Sequence, residues 1–137
     1  MIDKVDKSRL IAIKNDKILV LEKIGEKKKF SLAGGVKKKK ETDIKSLIRE
    51  TFEEIGLRLK KKELTYFLSR KNNNTKKKEI YKHYFITNTS IKNIEVFEPH
   101  KFKKVLWVPW YDALEYLDKD DRSAITLYFD QFRKQVN

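Results

Sequence analysis

The stretch that most constrains this chain covers residues 35–57, which read GVKKKKETDIKSLIRETFEEIGL. Apolar residues recur at helical spacing between positions 44 and 55 of this stretch. Either Thr42 or Asp43 can cap the start of a helix, and Gly56 stands where a left-handed residue commonly ends one. We therefore predict a helix of about three turns here.

Three glutamates of the predicted helix, Glu50, Glu53 and Glu54, follow the spacing i, i+3 and i+4. At 3.6 residues per turn they gather in a sector of roughly 100°. Like charges at this spacing repel each other by roughly a few tenths of a kcal/mol per pair. A cation would remove that repulsion, and carboxylate oxygens suit hard ions such as Mg²⁺ or Mn²⁺. A solvated acidic face is the alternative interpretation of the same spacing.

The glutamates belong to a longer pattern of charged and glycine residues. Gly35 is followed after five residues by Glu41, and Glu41 after seven more by Arg49-Glu50-Thr51-Phe52-Glu53-Glu54-Ile55-Gly56-Leu57. This pattern resembles the complete signature of the Nudix hydrolase family, G-x5-E-x7-R-E-U-x-E-E-x-G-U, in which U is a bulky apolar residue. Thr51 is the one soft departure, and its methyl group can still face the core.

The Nudix resemblance covers nearly the whole chain and implies both a fold and an activity. The implied fold class is α/β, a Nudix-type α/β/α sandwich in which a mixed β-sheet carries helices on both faces. We expect residues 1–137 to form a single Nudix hydrolase domain. The implied enzyme is a pyrophosphohydrolase that acts on acid anhydrides in phosphorus-containing compounds and depends on Mg²⁺, with Mn²⁺ as a substitute.

The same resemblance implies roles for individual residues of the motif. Metal coordination falls to Glu50, Glu53 and Glu54, with the backbone carbonyl of Gly34 completing the set. One of these carboxylates can also serve as the general base, and the sequence does not decide which. Arg49 would orient the ligands by pairing with Glu53 or Glu41, or it would form only an ordinary surface ion pair. Glu41 lies at the helix start and would interact with the helix N-terminus, bind metal through water, or do both.

A second segment adds a weaker signal. Glu98-Pro99-x-Lys101, followed by Trp107-x-Pro109, resembles a segment common in MutT-like relatives. In those relatives a loop glutamate joins the metal site or acts as base, so Glu98 is our fourth carboxylate and is grouped with Glu53, Glu50 and Arg49 as catalytic. A solvated loop glutamate is the alternative. His83 and His100 lack ligand spacing, and we expect them to be surface or satisfied polar residues.

The chain is strongly basic, with 33 Lys and Arg against 20 Asp and Glu and a net charge of +13. Such a charge favours anionic partners, among them nucleotides and nucleic acid. Most of the lysines are expected to be solvated surface. Lys38 and Lys39 are the exception, because they follow Gly35 inside the motif and precede Glu41, beside the predicted phosphate site.

Other features narrow the class of protein. Cysteine is absent, which excludes disulfides and thiolate chemistry. No signal peptide is recognisable and the apolar runs are too short to cross a bilayer, so a cytoplasmic protein without membrane contact is expected. A homodimer is a plausible assembly, since dimers are the commonest one.

Secondary structure follows from the remaining patterns. Residues 9–13 and 17–21 predict an antiparallel hairpin with a turn at Asn15-Asp16, and residues 63–70 and 79–87 predict a second hairpin joined by a polar loop over 71–78. Residues 91–97 and 105–108 are candidate strands. Helices are predicted over about 111–117 and 121–136, with Ile125, Phe129, Phe132 and Val136 on the apolar side of the last one.

The predicted substrate is a nucleoside diphosphate linked to a group X, with a nucleoside or deoxynucleoside triphosphate favoured and a nucleoside monophosphate and pyrophosphate as products. The alternatives are an RNA 5′-pyrophosphohydrolase or decapping-type enzyme, motivated by the basic charge, and a hydrolase of dinucleoside polyphosphates, ADP-ribose or nucleotide sugars. Binding of nucleic acid is possible but not favoured. A non-catalytic nucleotide-sensing module ranks lowest, because the motif is intact.

Overall fold

A computed structural model describes residues 3–72 and 77–136, and the side chains of those residues up to position 131. The strands are β1 (Asp3–Lys14), β2 (Lys17–Lys23), β3 (Phe30–Ser31), β4 (Gly34–Val36), β5 (Thr65–Asn72), β6 (Lys78–Thr87) and β7 (Phe102–Pro109). The helices are α1 (Asp43–Ile55), α2 (Trp110–Ala113) and α3 (Lys119–Val136), with single 3₁₀ turns at Lys61–Glu63 and Leu114–Tyr116. No helix among the described residues is long and apolar enough to cross a membrane.

The sheet is mixed and is built around β1. Strand β1 runs parallel to β6 over its first ten residues, from Asp3 opposite Lys78 to Ala12 opposite Thr87. It is antiparallel to β4 and, at its far end, to β2. Strands β5 and β6 form the predicted hairpin, and β2 also pairs with β7 and β3. This parallel pairing explains why β1 starts six residues before the predicted strand.

Alternate residues of the central strands supply two separate cores, as the two-residue period of a strand requires. On one face, Leu10, Ala12, Leu19 and Leu21 pack against Leu47 and Ile55 of α1. On the other face, Ile11, Ile18 and Val20 pack against Ala113, Leu117, Ile125 and Phe129 of the C-terminal helices. The prediction of a mixed sheet with helices on both faces is confirmed.

Helix α1 forms as the motif predicts. Thr42 is the N-cap, and its hydroxyl accepts the backbone N–H of Lys45 at 3.1 Å. Gly56 ends the helix with φ +69° and donates its N–H to the carbonyl of Phe52 at 2.9 Å. Thr51 is fully buried, so its place in the motif does face the core.

The predicted strand over residues 91–97 was wrong, because this segment is irregular. Its backbone is engaged elsewhere: the N–H groups of Glu95 and Phe97 donate to the carbonyls of Ile55 and Glu54 at the end of α1. Its apolar residues Ile91, Ile94 and Val96 nevertheless pack on the first core, which accounts for their strand-like spacing.

Two other expectations need adjustment. The predicted helix over 111–117 is split into a one-turn α2 and the 3₁₀ turn that follows, starting directly after Pro109. The polar loop over 71–78 is shorter than predicted, since Lys71 and Asn72 belong to β5 and Lys78 to β6; its residues 73–76 lie outside the described part. The predicted packing of Phe132 and Val136 likewise concerns side chains outside it.

Candidate active site

Glu54 is the most enclosed carboxylate of the motif. Its side chain points from α1 toward β4, where Oε1 accepts the backbone N–H of Gly34 at 2.8 Å, and the residue is only 6% exposed. Burial raises the pKa of Glu54 to about 8 against this hydrogen bond and the nearby charge of Arg9, and the charges of Glu50 and Glu98 reinforce the rise. A buried carboxylate of this kind calls for a positive partner.

Glu50 packs against Gly35 of strand β4. A Cβ atom on Gly35 would stand 2.4 Å from Glu50 Cδ and 2.6 Å from its Oε2, so any other residue there would displace the carboxylate. The motif glycine is therefore required by close approach rather than by an unusual φ. Gly34 differs: its φ is +137°, and a Cβ would meet the carbonyl oxygen of Ser8 at 1.9 Å.

Arg49 connects the other acidic residues of the motif. Its Nε donates to Glu41 Oε2 at 2.7 Å and its Nη2 to Glu41 Oε1 at 3.0 Å, forming a two-pronged pair. Its Nη1 reaches Glu50 Oε1 at 3.1 Å and Glu53 Oε2 at 3.2 Å. The Arg49 hydrogen bonds lower the pKa of Glu41 to about 2, with help from the Lys38 backbone N–H, and the pKa of Arg49 is raised in turn. The predicted pairing of Arg49 with Glu53 or Glu41 occurs with both.

Glu98 lies near the motif although it is 44 positions from Glu54 in the sequence. Its negative charge acts on Glu54, and its Oε2 pairs with Lys101 at 3.4 Å. Its Oε1 is buried and has no hydrogen-bond partner among the described residues. The structure thus brings Glu98 toward the predicted metal ligands, and its role remains a prediction.

The lysines of the motif loop are less closely engaged. The side chains of Lys38 and Lys39 are exposed, and it is the backbone N–H of Lys38 that bonds Glu41 Oε1 at 2.8 Å. Their predicted contact with phosphate stays a prediction. Gly34 contributes its N–H to Glu54, and the role predicted for its carbonyl is also untested.

The donor set suits a hard divalent cation. Glu50 and Glu53 direct oxygens at the same Arg49 nitrogen, burial raises the pKa of Glu54, and Glu98 has a buried oxygen without a partner in the described part of the chain. All are carboxylates, the ligands that Mg²⁺ and Mn²⁺ prefer. Metal binding would compete with Arg49 for Glu50 and Glu53.

A second group of possible metal ligands has its ligand atoms closer together than the motif glutamates do. Within residues 3–72 and 77–136, only Asp6, Asp43 and His83 offer three ligand atoms within 4.8 Å of one another, so the motif glutamates are more widely spaced here. His83 Nε2 lies 2.8 Å from Asp6 Oδ1, and its Nδ1 lies 2.6 Å from the Ser69 hydroxyl. Both ring nitrogens have partners, as expected for a satisfied histidine.

Sequence reasoning missed Arg9. This residue lines a pocket of about 390 Å³ together with Lys23 and the lysines at 27–29, and the acidic residues Glu115, Asp118 and Asp121 line it too. We call this pocket the Arg9 pocket. Its charge acts on the buried carboxyls of both Glu54 and Asp121, and its Nε is buried without a partner among the described residues. No motif marks Arg9; only the β1–β4 pairing, which sets it opposite Gly34, reveals its place.

Comparison with known proteins agrees with this geometry. The family model described as NUDIX domain matches residues 5–128. The structure is similar to the E. coli ORF135 protein, with a TM-score of 0.78, 19% identity, and coverage of 94% of this chain and 91% of that one. It is also similar to a MutT NUDIX hydrolase from Burkholderia pseudomallei, with a TM-score of 0.77, 17% identity, and coverage of 90% and 97%.

A third similar structure is a bifunctional NMN adenylyltransferase/ADP ribose pyrophosphatase from Francisella tularensis, complexed with AMP and a Mn ion. Its TM-score is 0.70 at 19% identity, and the match covers 96% of this chain but 42% of that one. No curated protein matches this chain in a sequence comparison. At identities this low, the structural likenesses establish the fold alone.

Proposed function

The chain belongs to the Nudix hydrolase family, and from that premise we propose that it hydrolyses a nucleoside triphosphate or deoxynucleoside triphosphate to the monophosphate and pyrophosphate, with Mg²⁺ as the metal. The observation that carries this proposal is the set of motif carboxylates, of which Glu54 lies within reach of the Arg9 charge, together with the pocket that Arg9 lines. Glu54 is buried against Gly34, and Arg9 lies near Glu54 and lines that pocket. Acidic metal ligands next to cationic side chains are what a polyphosphate chain with its metal ions requires.

The protein's part in the reaction is to hold and orient. Glu50, Glu53 and Glu54 would bind the metal, which supplies charge neutralisation of phosphate oxygens and a bound water of lowered pKa. Arg49 and Glu41 keep Glu50 and Glu53 in position through their ion pairs. Glu53 and Glu98 are the candidates for the base that accepts the proton of the attacking water. Glu53 is more exposed than Glu41 and Glu50, and Glu98 Oε1 has no hydrogen-bond partner among the described residues.

The pocket suggests how the nucleotide lies. Arg9, whose charge acts on Glu54, would bind phosphate oxygens through its guanidinium donors. Among the described residues its Nη1 donates to the neighbouring Ser8 carbonyl at 3.3 Å, and no ion pair joins it to an acidic side chain. Lys28 also lines the pocket, and its ammonium group lies over the rings of Phe30 and Tyr116, at 5.4 and 4.7 Å from their centroids. Phe30 is buried, so Tyr116 is the ring that would contact the nucleoside.

A larger pocket of about 860 Å³ is less suitable. Its lining includes Ile13, Asn15, Trp110, Tyr111 and Phe129, and no basic residue belongs to it. Among the described residues no motif residue lines either pocket, but Arg9 lines the smaller one and its charge acts on Glu54. Because hydrolysis requires the phosphates to reach the motif carboxylates, we place the substrate in the Arg9 pocket.

One observation favours a second candidate, the 5′-triphosphate end of RNA. The net charge is +13, and the lysines at 27–29 line the same pocket as Arg9. Basic side chains there would contact the phosphates of further nucleotides.

A substrate panel tests both candidates. Purified protein is incubated with Mg²⁺ or Mn²⁺ and nucleoside triphosphates, dinucleoside polyphosphates, ADP-ribose, nucleotide sugars and 5′-triphosphate RNA, and released phosphate and pyrophosphate are measured. We expect metal-dependent pyrophosphate release from triphosphates. Preference for RNA, declining steeply with salt, would replace the first candidate by the second, and silence from folded, metal-bound protein would contradict both.

The role of Arg9 has its own test. Arg9→Met should raise KM for the best substrate about tenfold or more while leaving the fold intact, because a phosphate contact is lost. Arg70 lies in β5 and does not line the Arg9 pocket, so Arg70→Met is the matched control and should leave KM unchanged. Equal effects of the two substitutions would remove Arg9 from the substrate site.

A further inference from the structure

We propose that Phe97 is a positioning residue. It anchors the irregular segment 91–97 to the end of α1 and thereby fixes the next residue, Glu98, beside Glu54. Phe97 lies next to Glu98 in the chain but outside the motif. The proposal rests on the proposed function for the role of Glu98 itself. It explains why an exposed aromatic residue occupies this place.

The backbone of the segment is tied to the last turn of α1. Helix termini leave carbonyl groups without partners inside the helix. Here the N–H of Phe97 donates to the carbonyl of Glu54 at 2.8 Å, and the N–H of Glu95 to the carbonyl of Ile55 at 3.2 Å. Glu54 therefore takes part in two ways: its side chain is the buried carboxylate, and its backbone carbonyl accepts a hydrogen bond from the segment that leads to Glu98.

The ring of Phe97 fixes the same segment from the side. It lies on Gly56, where a Cβ atom would approach the ring carbons to 2.4 Å. It also meets the ring of Phe52 edge-on, with centroids 6.1 Å apart, and the Arg58 guanidinium covers Phe52 at 4.7 Å. Gly56 therefore has two functions, since its φ of +69° ends the helix and its missing side chain makes room for Phe97.

These contacts stabilise the fold little, because Phe97 remains 47% exposed and Phe52 39% exposed. Their effect is instead to fix the orientation of the neighbouring residue Glu98. With Phe97 anchored and Pro99 restricting the residue before it, Glu98 has little backbone freedom. The N–H groups of Lys101 and Phe102 both donate to the Glu98 carbonyl, at 2.9 and 3.1 Å, and fix its other side. Its carboxylate is thereby held where its charge acts on Glu54.

A double-mutant cycle tests whether Phe97 acts through Glu98. Mn²⁺ affinity of the full chain is measured by electron paramagnetic resonance, together with kcat, KM and the melting temperature, for Phe97→Ala, Glu98→Gln and the double variant. We expect Phe97→Ala to weaken Mn²⁺ binding and lower kcat by about tenfold, the lower end of what the loss of a supporting contact costs, with KM nearly unchanged. The double variant should be no worse than Glu98→Gln.

Two further variants complete the test. Phe97→Tyr keeps the ring on Gly56 and should restore Mn²⁺ affinity and kcat to within about twofold. Tyr111→Ala removes another exposed aromatic residue, from α2, which packs on the other face of the sheet, and should change neither.

Three results would overturn the proposal: additive effects in the double variant, failure of Phe97→Tyr to rescue, or no change in Mn²⁺ affinity on Glu98→Gln. Failure of the proposed function looks different. If the cycle on Mn²⁺ affinity is non-additive as expected but no member of the substrate panel is hydrolysed, Phe97 keeps its positioning role and the hydrolase assignment falls.

Discussion

Two polar clusters on opposite faces of the sheet differ in how fully their buried oxygens are hydrogen-bonded. On the α3 face, the Tyr84 hydroxyl donates to Asp121 at 2.6 Å, and Lys82 pairs with Asp118 at 3.0 Å and Asp120 at 3.3 Å. We call these five residues the Tyr84 cluster, and burial raises the pKa of its Asp121. On the α1 face, one guanidinium group likewise serves three carboxylates and burial raises the pKa of Glu54 to about 8, but Glu98 Oε1 is buried without a hydrogen-bond partner among the described residues.

The difference indicates which cluster stabilises the fold and which performs chemistry. Buried polar groups in a satisfied network hold elements together, whereas a buried carboxylate oxygen without a hydrogen-bond partner marks a site that binds a missing charge. Changes in the motif should therefore reduce turnover at little cost in stability. Changes in the Tyr84 cluster should do the opposite, and four substitutions or conditions test this contrast in order of expected effect.

The largest effect is expected for Glu54→Gln. The amide keeps an acceptor for the Gly34 N–H but cannot bind a cation as a carboxylate does, so turnover should fall by about a thousandfold or more, several kcal/mol of transition-state stabilisation. The melting temperature without metal should not fall. Glu79→Gln, which breaks an ion pair with Lys71 outside the motif, is the control for removing a negative charge. Full activity of folded Glu54→Gln would refute the metal assignment.

Arg49→Lys should have the next largest effect. Lysine keeps the charge but lacks the planar fork that bonds Glu41 twice while reaching Glu50 and Glu53. We expect kcat to fall by about 10- to 100-fold with an unchanged fold, as measured by steady-state kinetics and circular dichroism. A loss of stability without loss of kcat would show that Arg49 is only a surface ion pair.

Tyr84→Phe should show the opposite pattern. Removing the hydroxyl leaves the Asp121 carboxyl buried without this donor, and we expect a loss of about 1–3 kcal/mol of unfolding free energy in urea. The kcat of the remaining folded protein should stay within about twofold, whereas a change in KM is compatible with the account because Asp118 and Asp121 line the Arg9 pocket. Tyr111→Phe, whose hydroxyl is exposed beside Asp16, is the control and should cost less than about 0.5 kcal/mol. A large loss of turnover in Tyr84→Phe would join the two clusters functionally.

The smallest effect concerns pH. Since the pKa of Glu54 is raised from 4.5 to about 8 in the folded chain, the folded state binds the proton more tightly than the unfolded state. Metal-free stability contributed by this group is greatest below about pH 4.5 and is lost as pH rises to about 8. Melting curves in chelator should show a decline of a few degrees that is absent in Glu54→Gln. Parallel curves for both proteins would contradict the uncompensated burial of Glu54.

The contrast between the clusters also explains what the sequence could predict. Helix α1, its caps and the contacts among Glu41, Arg49, Glu50 and Glu53 depend on spacing within one short stretch, so periodicity and motif suffice. The two-sided sandwich followed from the family resemblance and the alternation of the strands. The residues that position the site from afar were missed or misread, because their contacts are set by strand pairing and chain reversal.

Arg9 and Phe97 illustrate that limit. Arg9 is one of 33 basic residues, and its place next to the site depends on the register that sets it opposite Gly34. The segment before Glu98 has the alternation of a strand, yet its N–H groups bond the end of α1. The local sequence pattern shows which residues are apolar, but it does not show which backbone carbonyl groups will accept hydrogen bonds from their N–H groups.

The central claim is that the motif carboxylates bind the divalent ion on which hydrolysis depends. Anomalous scattering from a crystal of the protein soaked in MnCl₂ tests it most directly. We predict a manganese peak among Glu50, Glu53 and Glu54, within about 2.0–2.4 Å of their oxygens, and none there in Glu54→Gln. A peak only among Asp6, Asp43 and His83, the other described group able to hold an ion, would contradict the account.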